Sequence, residues 1–221
     1  MSLNPKKTDW APILILGSLW GLAEAALGMY LRQCASTVSG SLMTGAALFF
    51  LSAAWAISPR LQTVATMVVL AAFFKLFDAL LLGLPVLHGA VANPVFAIAV
   101  EAVAFFLIIQ LIRGDLFQKV PGKGAAGALA ALVAVNVFPL VKFATGIAAC
   151  KVPGTAIPLS LYYAPIAIGL SALTVPLGSL MGTAWAAAET RLSTFGLARL
   201  RWLSPAFLAL CLAVLAGFRL M

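Results

Sequence analysis

Histidine occurs once in this chain, at position 88, and cysteine three times, at 34, 150 and 211. One imidazole cannot build a histidine metal centre. Without a CxxC pair the thiols make neither a zinc ribbon nor a thioredoxin-type couple. Charge is just as scarce: only 9% of the 221 residues are Asp, Glu, Lys or Arg, against about 25% in soluble domains. No polar stretch is long enough to form a soluble domain. Also missing are GxxxxGK[ST], HExxH and GxSxG; Pro121-Gly122-Lys123-Gly124 reads as a turn rather than a phosphate loop. No arginine ladder marks a voltage sensor. The chain is therefore read as a non-enzyme with no cofactor and no metal. Any work driven by ATP has to come from a partner.

Apolar residues fill the space left by charge, at 63% of the chain. A soluble fold of this size cannot hide so much apolar surface, whereas a bilayer leaves it facing lipid. Runs of spanning length lie at about 11–31, 40–58, 62–84, 90–113, 124–149 and 158–187. The first is too long for a signal-peptide core and reads as a retained span. A seventh, shorter run at about 203–220 follows Trp202 and Pro205 and either spans or lies at the interface. The expected fold is an all-α, polytopic transmembrane bundle: one integral membrane domain over 1–221, with six spans and a candidate seventh. Short gaps carry helix breakers, among them Ser58-Pro59-Arg60, Gly83-Leu84-Pro85 and Pro153-Gly154.

The net charge of +8 sits in those gaps, which points to membrane orientation and not to nucleic acid. Lys6, Lys7, Arg60, Arg113, Lys119, Lys123, Arg191, Arg199 and Arg201 fall on one side, and Arg32 and Lys151 on the other. Nine against two predicts a multi-pass cell-membrane protein with a cytoplasmic N-terminus. The gaps 32–39, 85–89 and 150–157 would face outward. Cys34 and Cys150 would share that side, as a disulfide or as two unrelated thiols. Tyr162-Tyr163 is read as part of an aromatic belt, or as a stacking pair in a pocket.

Five ionisable residues fall within the spans: Glu24, Lys75, Asp78, Glu101 and Lys142. Each costs roughly 2.5–3.5 kcal/mol at a helix centre. Gly17, Gly21, Glu24 and Gly28 form one stripe on span one. Glu24 is thus placed in a close-packed seam, pairing with a base or serving a ligand or proton, or else it lies at the outer interface with no special role. Lys75 and Asp78 share a helix face, where they neutralise each other or line a polar cavity. Span five carries Asn136, Pro139 and Lys142. Pro139 frees a carbonyl that needs a partner, and Lys142 is expected to pair with one of the acids. The candidate ligand-binding set is Glu24, Lys75, Asp78, Glu101, Asn136 and Lys142, gathered from separate spans around an outward vestibule.

Length, span count and the small residues of span one resemble the substrate-capture (S) subunits of energy-coupling factor transporters. The resemblance covers about 11–187 in outline and rests on Gly17, Gly21 and Ala25 at small-xxx-small spacing. It implies uptake of a small solute, energised by partner ATPase subunits through a transmembrane coupling subunit docked on Gly17, Gly21 and Ala25. The seventh run and the lack of a vitamin-specific motif depart from that family. Competing readings are a self-sufficient secondary transporter or ion channel using its intramembrane carboxylates, an intramembrane enzyme with paired carboxylates, and a structural subunit of a larger membrane complex.

Overall fold

A computed structural model describes residues 10–34, 38–112, 114–193 and 200–220. Lys6, Lys7, Arg113 and Arg199 lie outside the described residues, as do the side chains of Arg32, Cys34 and Arg201. The described chain is helical: α1 (Ala11–Cys34), α2 (Ser39–Ile57), α3 (Leu61–Leu81), α4 (Gly89–Leu111), the short α5 (Asp115–Gln118), α6 (Val120–Val137), a 3-10 turn (Phe138–Leu140), α7 (Val141–Thr145), α8 (Leu159–Tyr162), α9 (Ala164–Ser193) and α10 (Leu200–Leu220). A lone bridge between Lys151 and Pro158 is the only β feature among the described residues. Six stretches are long and apolar enough to cross a membrane: Ser39–Ile57, Leu61–Leu81, Gly89–Leu111, Val120–Thr145, Ala164–Arg191 and Leu203–Leu220. The apolar part of α1 over its described side chains is Ala11–Ala26. The protein is an all-α, multi-pass membrane bundle, and the final run is itself of spanning length.

Six helices form a closed ring. α1 packs on α2, α2 on α9, α9 on α6, α6 on α4, α4 on α3, and α3 on α1 again. α10 lies outside the ring against α1 and α3. Each helix separates its faces by the 3.6-residue period. On α3, Val69, Phe73, Leu76 and Leu80 are exposed, while Met67, Ala71, Phe74, Lys75 and Asp78 are buried. In water such an exposed stripe would invite association; in a bilayer it is the lipid-facing surface. One half of the ring is filled by Trp20, Leu48, Leu51, Met67, Ile98 and Phe105.

Small residues let the helices close up. On α9, Gly178 faces the Phe49 carbonyl and Ser52, and Gly182 faces the Ala53 carbonyl. This GxxxG pair brings two backbones together where any side chain would hold them apart. The Ser52 hydroxyl completes the joint by donating to the Val175 carbonyl at 3.0 Å. Pro139 cannot donate to the carbonyl four residues back, that of Val135. Ser160 of α8 donates its hydroxyl there instead, at 3.1 Å, so the freed carbonyl has the partner that its burial requires. α7 then ends on Gly146, whose φ of +75° closes the helix. The long helix therefore stops at Thr145, short of the run read as 124–149.

Candidate functional site

The half of the ring opposite its packed core encloses a cavity of about 740 Å3. All six ring helices line it: Glu24 from α1, Ser41 and Thr44 from α2, Lys75 and Asp78 from α3, Asn93 and Glu101 from α4, Val135 from α6 and Ala167 from α9. Its rim includes Leu84, His88, Cys150 and Tyr163, so the connections before α4 and before α9 stand at one end of the bundle, with the start of α2. Most of the wall is carbon, including Met43, Leu82, Val91, Val100 and Ile147.

Close packing of α1 on α3 sets the polar floor. A Cβ on Gly21 would lie 2.6 Å from the Phe74 ring, and one on Gly17 would collide with Leu70. Because those side chains press against bare backbone, Glu24 comes to rest near Lys75, whose charge it feels. Glu24 also interacts electrostatically with Glu101 from across the ring. The four ionisable residues are almost fully buried, at 6% (Glu24), 7% (Lys75), 3% (Asp78) and 5% (Glu101) exposure.

Their partners differ in kind. Asp78 is held by cations: the Lys75 ammonium at 3.6 Å and the guanidinium of Arg219, which reaches in from α10. Arg219 also donates to the Ala25 carbonyl at 3.1 Å, tying α10 to α1. Glu24 and Glu101 are held by neutral donors. Trp20 donates its indole N–H to Glu24 Oε1 at 3.2 Å, and Thr44 donates its hydroxyl to Glu101 Oε1 at 2.7 Å. Among the described residues no basic side chain reaches salt-bridge distance of either glutamate. Asn93 also belongs to the lining, and its Oδ1 is buried without a partner.

The cavity thus gathers Glu24, Lys75, Asp78 and Glu101, and leaves Asn136 and Lys142 outside. Asn136 is exposed on α6 and donates to the carbonyl of Leu132, four residues back, at 2.7 Å. Lys142 is exposed too, with its ammonium 4.7 Å above the Phe143 ring. Its expected pairing with an acid does not occur. The helix ends three residues later, so the lysine stands in a last turn, where a cation suits the helix dipole and can reach the interface. The small-residue face of α1 is also occupied from within: Gly17 and Gly21 by α3, and Ala25, fully buried, by Phe74, Cys211 and Leu215. The stripe read as a docking face is thus covered by α3 and α10. Cys150 carries a free thiol; the side chain of Cys34, its candidate partner, lies outside the described residues.

Sequence reading passed over Arg219, Thr44 and the orphaned oxygen of Asn93. Arg219 left one trace, since Ser204, Cys211, Leu215 and Arg219 are spaced to share a face of α10. A basic residue at the end of an apolar run ordinarily belongs to the membrane surface, and that habit conceals it. Tyr162 and Tyr163 meet edge to face at 4.9 Å, with Tyr163 lining the cavity and Tyr162 exposed. The chain matches no protein-family model, no curated protein and no solved structure.

Proposed function

We propose that this protein captures a small solute within the membrane for uptake. One observation carries the reading: a cavity within the roughly 300–1,000 Å3 range of small-molecule sites, walled mainly by carbon, with buried carboxylates and a lysine from three separate helices converging on it. Such groups are expensive in a bilayer and normally mark a pathway or binding site. Apolar walls would bury the body of the solute while Glu24, Lys75 and Glu101 orient its polar end.

The cavity would open outward. Arg60 and Lys119 in the connections, Lys123 near the start of α6 and Arg191 in the last turn of α9 stand at the other end of the bundle, and the positive-inside rule assigns such an end to the cytoplasm. Uptake energised by a partner ATPase module, as in energy-coupling factor systems, fits a chain with no nucleotide motif of its own. The partner would then meet a surface other than the α1 stripe. A self-sufficient secondary transporter is the second reading, favoured by the two carboxylates that lack a cationic partner, since such groups can carry ions or protons.

Native mass spectrometry of the gently extracted protein, followed by reconstitution of the lone chain in liposomes, separates these readings. A co-purifying small molecule without flux supports a capture subunit. Ion-coupled flux by the lone chain supports the secondary transporter. Neither a bound molecule nor flux, with normal folding, would refute solute handling altogether.

A further inference from the structure

We infer that the cavity takes an organic solute carrying a single positive charge, an amine or related cation on an apolar body. The inference rests on the solute-capture reading and names its substrate class.

Charge is the first ground. Around the cavity stand three acids, Glu24, Asp78 and Glu101, and two bases, Lys75 and Arg219. Three against two leaves one negative charge when all are ionised. Asp78 holds both ion pairs, so the excess falls on the two glutamates, which have only Trp20 and Thr44 as donors. An isolated charge in a low-dielectric interior is costly, and a ligand bringing one opposite charge removes the cost.

Hydrogen-bond capacity is the second ground. A carboxylate offers about four acceptor sites. Each glutamate uses one of them on a side-chain donor, which leaves acceptor sites unused on two residues that line the cavity. The surplus of acceptors calls for a ligand rich in N–H donors. Phe138 and Tyr163 contribute aromatic rings to the lining, and ring faces attract cations.

A bare metal ion does not fit these residues. Among the described residues no three His, Cys, Asp or Glu side chains come close enough to hold one. The cavity is also far larger than an ion needs, and its carbon walls match a hydrocarbon body.

The test uses the full chain in lipid nanodiscs and three probes of similar size: phenethylammonium, 3-phenylpropionate and 3-phenylpropanol, titrated by calorimetry. The ammonium alone should bind saturably. Glu101→Gln should weaken it about tenfold or more, the loss expected for a charged hydrogen bond. Thr44→Val keeps every charge and removes the hydroxyl that holds the Glu101 carboxylate, along with its contact to the Gly40 carbonyl; it should weaken binding several-fold and serves if Glu101→Gln fails to fold. Lys142→Ala, outside the cavity, should leave affinity unchanged. Binding of the carboxylate or the alcohol as tightly as the ammonium overturns the cationic assignment and leaves solute capture standing. Ammonium binding indifferent to both variants overturns the assignment as well, because the glutamates then serve another purpose such as proton transfer. Failure of all three probes to bind overturns the cationic assignment, while solute capture falls only if native mass spectrometry finds no bound molecule and the liposomes show no flux.

Discussion

Replacing Asp78 by Asn should destabilise the bundle more than any change at its lipid surface. Asp78 is 3% exposed and holds two cations, Lys75 on its own helix and Arg219 on α10. The amide keeps the shape and removes the charge, leaving a guanidinium and an ammonium buried together. Removing one partner of a buried pair costs about 3–5 kcal/mol. Polar contacts between membrane helices often measure less, so about 3 kcal/mol is expected, roughly two decades in the folding equilibrium. Arg219→Met alone should cost about 1 kcal/mol, because Lys75 still neutralises Asp78. In the double variant the guanidinium is gone and only the Lys75 ammonium stays buried without Asp78, so part of the Asp78→Asn cost should return. Unfolding in mixed micelles, followed for all four proteins, gives the coupling energy directly. The reasoning is refuted if the two changes add to within about 0.5 kcal/mol, as independent sites do.

Gly182→Ala should destabilise by about 1–3 kcal/mol through overpacking, since the new methyl would meet the Ala53 carbonyl and the Ala56 side chain; Gly169→Ala, which meets nothing within 4 Å, should be neutral or slightly stabilising in the same thermal assay. In a Cys34→Ser background, a membrane-impermeant maleimide should label exposed Cys150 on intact cells, while Cys211, 4% exposed, should react only after denaturation. Labelling of Cys150 solely after lysis would reverse the orientation. Asn136→Ala and Lys142→Ala should each leave binding of a cavity ligand within about twofold; a larger loss in calorimetry would mean that α6 and α7 turn those side chains inward.

Much of the scaffold could be read from composition and punctuation. Spanning length follows from run length alone, and Pro59, Pro85 and Pro153 stand in the links between helices. Pro139 announced an unpaired carbonyl by its chemistry, but the identity of its partner, Ser160 on another helix, could not be inferred. Glu24 and Asp78 stood out because an acid within an apolar run has few uses. Lys142 stood out for the same reason and misled, because the helix around it ends earlier than its hydropathy does. Asn136 and Asn93 look alike as sequence; only helix rotation turns one to the surface and the other into the cavity wall.

Sequence by itself determined that the chain is an apolar, helical, multi-pass membrane protein and which costly residues call for an explanation. Those properties depend on transfer energy and backbone geometry, which are local. Tertiary structure decided which charges meet, that α3 and α10 cover the glycine face of α1, and that Arg219 and Lys75 pair with Asp78 while Glu24 and Glu101 have no cation at salt-bridge distance. These outcomes depend on the order of helices around the ring and the rotation of each about its axis. In a membrane nearly every apolar face can face lipid, so hydropathy alone selects neither.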